Sequence, residues 1–357
     1  MTVADDIERA RSGLIMINQA PYNAEAPFSG LTGQLTATGF HYVRSNFALP
    51  THDGNLHIGG AVENPTTLTL DDLRAFPAVQ RAVTLECAGN GRLDTRPLPA
   101  GEPWGGYAVS TAEWTGARLS DVLAQAVPTS DGVEVRCEGA DSGTYHLAPV
   151  LPDTRSPLTF VRSLALGHAQ DPAEEILVAY AMNGEPLSPD HGAPFRLVVP
   201  GWYAVASVKW LCRLDVLTEP FTGEFQTGHY MYQWPDRDPE PVSRMLVRAR
   251  ITDPEPGANL AAPTHTIRGK AWSGTGPVTQ VDLSFTGAGD WYRADLEPPA
   301  GPNQWQEWSY DWTCAPGRYS VRARATDAEG HVQPEVPPWN RLGYGNNAIE
   351  VAVVDVR

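Results

Sequence analysis

One cysteine lies where the sequence predicts the end of a β-strand. Residues 83–85 favour a strand, Cys87 follows after Glu86, and a Gly-Asn-Gly sequence then turns the chain sharply before Arg92. A thiolate at such a strand end can be presented to a ligand, and a guanidinium group lies close behind it. The alternative is a small buried cysteine that only fills space before a turn, which is the commoner role of this residue type.

A second group of residues carries donors that suit an anion. His191 and Arg196 lie on either side of a proline-containing turn, and Lys209 follows in a segment that favours a strand. An imidazole, a guanidinium and an ammonium group together can bind a phosphate through charge-assisted hydrogen bonds. The sequence therefore predicts an anion clamp, although a lone histidine in a loop would be weak evidence for a site.

Both stretches resemble signatures of the sulfite oxidase family of molybdenum enzymes. Residues 85–92 resemble the family's Leu-x-Cys-Ala-Gly-Asn sequence, after which two arginines follow; Gly91 replaces the first and Arg92 matches the second. Residues 190–196 and 208–211 resemble the family's Asp-His-Gly-x-Pro-x-Arg and Val-Lys-Trp-Leu sequences.

A third signature precedes these two. Residues 42–46 resemble the family's Phe/Tyr-x-Arg-Asn-His sequence. Arg44 matches the arginine, whereas Asn46 replaces the histidine of the animal and plant enzymes. The resemblance covers nearly the whole chain from about Phe40 onward.

The resemblance implies a molybdenum–molybdopterin cofactor, with no haem, flavin or zinc, and makes Cys87 the metal ligand. The implied catalytic residues are Arg44, Cys87, Arg92, Trp104, Tyr230 and Arg341. The implied cofactor contacts are Tyr42, Val43, Arg44, Ser45, Asn46, Cys87, Asp141, His191, Arg196, Ser207, Val208 and Lys209. Packing roles for Trp104 and Tyr230, and a turn role for Asp141, are the alternatives.

Near the end of the chain the sequence departs from the family pattern. Some members carry Trp-Asn-x-Arg-Gly, and that arginine reaches the substrate site; here residues 339–343 place Arg341 one position earlier. In an extended segment, a shift of one position would turn Leu342 inward and Arg341 toward solvent or the domain interface. In a loop, the long arginine could still reach the pocket. We favour the first case.

Composition and patterning predict two domains. The 357 residues suffice for two cores, and 33 glycines and 32 prolines indicate a turn-rich chain. A charged, proline-rich segment at 234–241 indicates the boundary. We expect an α+β fold, with a mixed α/β molybdopterin-binding domain at 1–238 and an all-β, immunoglobulin-like sandwich at 239–357, where apolar and polar residues alternate. The resemblance makes the second domain a dimerisation module and implies a homodimer.

The net charge, the cysteine spacing and the N-terminal sequence limit the partners, metals and location that we expect. A formal net charge of −16 argues against nucleic-acid and membrane partners. The four cysteines are too far apart for a zinc motif, and neither a signal peptide nor a twin-arginine pair is visible, so we expect a cytoplasmic location.

The resemblance implies oxidation of sulfite, or a similar small oxyanion, to sulfate by oxo transfer. The electrons would pass to an external acceptor, with a c-type cytochrome as one candidate, because the sequence has no haem-type Cys-x-x-Cys-His motif. Nitrate reductase and sulfoxide reductase are alternatives on the same scaffold. A two-domain binding protein with a plain buried Cys87 is the non-enzyme alternative.

Overall fold

The first two-thirds of the chain carries the predicted cysteine strand. The computed structural model describes residues 11–144, 157–287 and 289–357. The α-helices that lie wholly within these residues are α1 (Leu70–Ala75), α2 (Leu119–Ala126) and α3 (Leu166–Gln170). The strands up to residue 241 are β1 (Ile15–Gln19), β2 (Tyr22–Glu25), β3 (Asn55–Gly60), β4 (Thr66–Thr69), β5 (Val79–Glu86), β6 (Val109–Arg118), β7 (Glu134–Gly143), β8 (Leu158–Ala165), β9 (Leu177–Met182), β10 (Glu185–Pro186), β11 (Arg196–Val198), β12 (Leu211–Leu217), β13 (Met231–Tyr232) and β14 (Glu240–Pro241).

The remaining described elements are strands and single helical turns. The strands are β15 (Arg248–Asp253), β16 (Asn259–Leu260), β17 (Thr264–Trp272), β18 (Val278–Ser284), β19 (Tyr292–Arg293), β20 (Asp295–Leu296), β21 (Gln306–Thr313), β22 (Gly317–Asp327) and β23 (Val351–Val356). Single turns of 3-10 helix lie at Phe28–Leu31, Thr38–Phe40, Arg92–Asp94, Pro172–Glu174, Pro189–His191 and Ala204–Ala206, and a π-helical turn lies at Glu224–Gly228.

Two five-stranded sheets form the first domain. One has the order β10-β9-β6-β5, with β11 also paired to β9, and all its pairs are antiparallel. The other has the order β4-β3-β12-β7-β8, in which only β12 and β3 run parallel. The edge strand β5 ends at Glu86, so Cys87 begins the turn that the sequence predicted.

Two facing sheets form the second domain. Their orders are β15-β17-β21-β20 and β16-β23-β22-β18-β19. Apolar side chains of both sheets fill the space between them, including Ile267, Val281, Val321 and Val354, which are fully buried. This layered, strand-only arrangement is typical of a β-sandwich. The predicted order of a mixed α/β domain followed by an all-β domain is confirmed.

The two domains share a hydrophobic core. Trp272, Trp305, Leu342 and Tyr344 of the second domain belong to the same buried cluster as side chains of the first. A short hairpin of β13 and β14 spans residues 231–241, so the predicted boundary at 238/239 falls inside its turn. The boundary itself stays a prediction. No helix among the described residues is long and apolar enough to cross a membrane.

Candidate active site

Cys87 lies where two adjoining cavities meet. The larger has an empty volume of about 660 Å³ and the smaller one of about 320 Å³, with the open solvent at their mouths included. Arg44, Cys87 and Tyr230 line both. The backbone N–H of Cys87 donates to the carbonyl of Ala108 at 2.9 Å, which extends the β5–β6 pairing by one residue. The side chain is 7% exposed, and burial raises the pKa of the thiol while Arg44 opposes that shift. A thiol at this junction can contact ligands in both cavities.

The larger cavity contains a buried guanidinium group that bonds no carboxylate in the described part of the chain. Arg196, at the start of β11, donates to three backbone carbonyls: Leu197 at 3.3 Å, His191 at 3.2 Å and Ser207 at 2.9 Å. Burial lowers the pKa of Arg196 to about 10, so it stays protonated at neutral pH. Carbonyl groups carry no net charge, and the site therefore favours an anionic ligand.

A lysine supplies a second cation beside it. The Lys209 ammonium donates to Ser45 Oγ at 2.9 Å and to the Asp190 carbonyl at 2.8 Å. Burial, and then repulsion by Arg196, lower the pKa of Lys209. Burial raises the pKa of Asp141, which lines the same cavity, and the attraction between Asp141 and Lys209 opposes both shifts.

Two neutral imidazoles complete the wall. The rings of His41 and His191 lie 4.9 Å apart, centroid to centroid, in an edge-to-face arrangement. Burial lowers the pKa of His41 to about 3 and that of His191 well below its usual range, so both are uncharged at neutral pH. Nδ1 of His41 lies 3.0 Å from the carbonyl of Tyr42, which makes Nδ1 the donor and leaves Nε2 an acceptor. That buried Nε2 has no hydrogen-bond partner within the described part of the chain.

A glycine lets the clamp close. Gly192 adopts a φ of +100°, and an added Cβ would lie 3.0 Å from Cβ of Lys209 and 3.1 Å from Cβ of Arg196. Any other residue would therefore separate the two cations or strain the backbone. The physical reason for glycine in the Asp-His-Gly segment is this close approach.

These residues fit a molybdopterin cofactor. For a phosphate, the larger cavity offers the guanidinium of Arg196, whose hydrogen bonds go to neutral carbonyls. For a donor on the pterin edge, it offers the His41 acceptor that no described residue bonds. Cys87 at its inner end offers a soft thiolate for the metal. The predicted contacts that line this cavity are Tyr42, Arg44, Ser45, Asn46, Cys87, Asp141, His191, Arg196, Ser207 and Lys209.

Two predicted cofactor contacts do not line it. The Val43 N–H donates to the Ala24 carbonyl at 2.8 Å, and the Val208 carbonyl accepts from the Leu197 N–H at 2.8 Å. Both side chains are buried. Val43 and Val208 therefore support the cavity through backbone hydrogen bonds and do not contact its contents. His41 was not predicted, and the only sequence signal for it was its position next to the third signature.

The smaller cavity contains two guanidinium groups. Arg92 is 5% exposed and donates to the carbonyls of Leu342 at 3.1 Å and Glu102 at 2.6 Å. Arg44 donates to Asn46 Oδ1 at 2.6 Å and to the Ser45 carbonyl. Two of these partners hold each guanidinium group, and all four are uncharged oxygen acceptors. The arrangement suits a small oxyanion.

Aromatic side chains close this smaller cavity. Trp104 is fully buried, and its Nε1 has no hydrogen-bond partner within residues 11–144, 157–287 and 289–357. The hydroxyl of Tyr230 donates to Asn46 Oδ1 at 3.3 Å, and its ring stacks on Tyr344 with 5.3 Å between centroids. Tyr344 was missed by the sequence reasoning. It lies just beyond the displaced arginine motif, which was the available signal.

Arg341 lies apart from both cavities. Its side chain is exposed and lines neither of them, whereas Leu342 is 1% exposed and lines the smaller one. Residues 341–343 form a turn rather than a strand, so the alternation of an extended segment does not explain this outcome. The structure thus brings Arg44, Cys87, Arg92, Trp104 and Tyr230 together and leaves Arg341 outside.

Comparisons with known proteins identify the family of the chain. Residues 46–225 match the family described as "Oxidoreductase molybdopterin binding domain", and residues 240–355 match the "Mo-co oxidoreductase dimerisation domain". Mitochondrial sulfite oxidase of Mus musculus is 35% identical over 371 residues, covering 97% of this chain and 66% of that protein. The nitrate reductase [NADH] of Ulva prolifera is 32% identical, covering 92% of this chain and 41% of that protein.

A solved structure extends the likeness to the whole fold. The sulfane dehydrogenase SoxCD from Paracoccus pantotrophus superposes with a TM-score of 0.81 at 28% identity. The superposition covers 95% of this chain and 88% of that chain. Both domains and their mutual arrangement are therefore shared.

Proposed function

The chain belongs to the sulfite oxidase family of molybdopterin-binding oxidoreductases, and from this membership we propose that it oxidises sulfite to sulfate. The observation that carries the proposal is the pair of guanidinium groups, Arg44 and Arg92, in a small cavity that opens on Cys87. Two fixed cations beside a metal-binding thiol suit a small sulfur oxyanion.

The cofactor would occupy the larger cavity. When bound, molybdenum–molybdopterin would supply oxygen-atom transfer and take up the two electrons of the reaction. Cys87 would ligate the metal, and Arg196, Lys209 and the uncharged His191 would hold the phosphate and the polar edge of the pterin.

The chain's own residues would bind and orient the substrate. Arg44 and Arg92 would attract sulfite and fix its oxygens so that the sulfur atom points toward Cys87. Trp104 and Tyr344, which line the smaller cavity, would exclude water from around the bound substrate. The hydroxyl of Tyr230 donates to Asn46, and it would turn this one donor from Asn46 to a substrate oxygen.

The proposed partners follow from the same membership. The match of residues 240–355 to a dimerisation domain supports a homodimer. The electrons would leave one at a time to an external carrier, for which a c-type cytochrome is our candidate.

Oxidation of sulfane sulfur is a second candidate. One wall of the smaller cavity carries Leu342 where some family members place an arginine, so this cavity is less cationic than three arginines would make it. A substrate that presents an apolar sulfane sulfur to that wall would suit it better. The superposition on a protein described as a sulfane dehydrogenase adds support.

One purified preparation tests these candidates together. Elemental analysis should find about one molybdenum per chain, since Cys87 provides one thiolate. Steady-state rates with an artificial electron carrier are then compared for sulfite, thiosulfate, nitrate and a sulfoxide. We expect the highest kcat/KM for sulfite. A higher value for thiosulfate would favour sulfane oxidation, and a higher value for nitrate or the sulfoxide would favour the reductases. Protein prepared with an ample molybdenum supply that still lacked the metal would indicate a binding protein.

A further inference from the structure

The carboxylate next to Cys87 is buried and bound mainly by the second domain. Glu86 is 2% exposed. Its Oε1 accepts from Asn90 Nδ2 at 2.9 Å and from Arg248 Nη1 at 3.0 Å, and its Oε2 accepts from Trp272 Nε1 at 2.9 Å. Arg248 begins β15 and Trp272 ends β17, so two of the three donors come from the sandwich. The residue that precedes the thiol is therefore anchored across the domain interface.

Arg248 is the centre of this anchor. Besides Glu86, it donates to the Asn346 carbonyl at 3.1 Å and to Glu350 Oε1 at 2.6 Å. It is 2% exposed, and burial disfavours its charge, but the attraction of Glu350 and Glu86 outweighs burial and raises the pKa of Arg248. A guanidinium group can satisfy these three acceptors at once because its donors diverge in one plane.

The turn after Cys87 leaves room for this guanidinium. Gly91, which replaces the first arginine of the family signature, adopts a φ of +74°, and an added Cβ would lie 3.2 Å from Arg248 Nη2. Asn346 Nδ2 donates to the Gly91 carbonyl at 2.6 Å, and the Gly345 N–H donates to the Ala88 carbonyl at 2.8 Å. Both ends of the turn are thus bonded to the second domain.

We propose that Arg248 is a positioning residue, which holds the Cys87 turn through Glu86 and so fixes the direction of the thiol between the two cavities. Arg248 lines neither cavity. Its effect on the substrate is therefore indirect, and the effect on turnover rests on the proposed function. The anchoring of the turn does not.

Hydrogen exchange of the cofactor-loaded full chain tests the anchoring directly. In Arg248→Met the Glu86 carboxylate loses its charged partner, which is costly for a buried pair. We expect the amides of residues 84–92 to exchange at least about tenfold faster, because local opening of the turn becomes easier. Arg324→Met is the matched control, since Arg324 lies in β22 and pairs with the buried carboxylate of Asp282 at 3.2 Å, far along the chain from the turn. It should leave exchange in 84–92 unchanged.

Two further variants test whether the rate of hydrogen exchange in the turn follows the strength of the contacts made by Arg248. Arg248→Lys keeps the charge but not the fork of donors, so its exchange should lie between parent and Arg248→Met. Glu350→Gln removes the negative charge of one partner of Arg248, at a side chain that is 23% exposed. It should accelerate exchange in the turn even if Arg248→Met fails to fold. In folded Arg248→Met, Arg248→Lys and Glu350→Gln, kcat for sulfite should fall by up to about 10- to 100-fold with little change in KM, because the thiol is misdirected while the anion site is intact; kcat of the control Arg324→Met should be parental.

The outcomes separate the two proposals. Parental exchange in 84–92 for Arg248→Met, or for both Arg248→Lys and Glu350→Gln, would overturn the positioning role. Faster exchange in a protein whose parent does not oxidise sulfite would uphold the anchoring and refute only the proposed substrate. Equal acceleration in Arg324→Met would mean that the turn merely reports general loosening of the sandwich, which also overturns the proposal.

Discussion

Removing the charge of Arg92 should weaken substrate binding, whereas the same change at Arg341 should not. Methionine keeps a long stem at either position and removes the guanidinium group. Arg92 is 5% exposed and lines the smaller cavity. Arg341 is exposed and lines neither cavity. The two variants are therefore matched in chemistry and differ in location.

The size of the effect follows from the hydrogen bonds at each position. A hydrogen bond to a charged group contributes roughly 1.5–3 kcal/mol, so Arg92→Met should raise the KM for sulfite by about 10- to 150-fold. An exposed charge acts through solvent in which salt screens interactions beyond about 8 Å, so Arg341→Met should change KM by no more than about twofold.

The assay needs a measure of binding and a measure of stability. KM for sulfite and the inhibition constant for sulfate are determined at constant ionic strength. Arg92→Met also removes the side-chain donor to the Leu342 carbonyl and one of the two donors to the Glu102 carbonyl, so its Tm should fall. Both variants are therefore assayed well below the Tm of Arg92→Met.

Two results would refute the reasoning. An unchanged KM in Arg92→Met would place the anion away from the smaller cavity. A rise in Arg341→Met comparable to that in Arg92→Met would mean that the turn at 341–343 moves and brings Arg341 to the substrate.

Three further changes test other parts of the site. Cys87→Ser should fold with its Tm nearly unchanged but lose sulfite oxidation, because a hydroxyl is a poor substitute for a soft thiolate; turnover within a few-fold of the parent would contradict the ligand assignment. Tyr230→Phe removes the hydroxyl that bonds Asn46, so turnover should slow at nearly constant Tm, and a lower Tm with parental turnover would indicate a packing role. Lys209→Met should lose molybdopterin, measured by fluorescence of the released pterin. Because burial lowers the pKa of Lys209, the folded cofactor-free parent binds fewer protons than the unfolded chain between that lowered pKa and the usual lysine range. Its free energy of unfolding should therefore rise with pH across this range, and the rise should be smaller in Lys209→Met; identical slopes would refute the buried-charge argument.

Local sequence predicted the cysteine turn and the anion clamp well. A β-forming run followed by Gly-Asn-Gly sets the end of β5 by short-range preferences, and Cys87 follows it directly. His191, Arg196 and Lys209 were expected together because of the family signatures, and all three line one cavity. Signature membership alone does not tell which side chains face the ligand, so Val43 and Val208 were included although they lie behind the cavity.

Several predictions concern matters that the fold does not decide. The electron acceptor, the cytoplasmic location, the domain boundary and the preference for sulfite depend on partners, on the cell and on relative rates. They stay predictions. The lack of haem, flavin and zinc also stays a prediction.

The contacts between the domains were beyond local sequence reasoning, because they join residues far apart in the chain. Glu86 and Arg248 are separated by 162 positions, and Arg92 and Leu342 by 250. Neither pair shows any periodicity that a single sequence could reveal. Because of these contacts, the predicted domain boundary at 238/239 does not make the site independent of the second domain. Without the sandwich, Glu86 would lose its guanidinium partner, and Arg92 would lose one of the two carbonyls that orient it. The first domain contains the cofactor cavity, but the positions of the thiol and of the substrate cation both depend on the second domain.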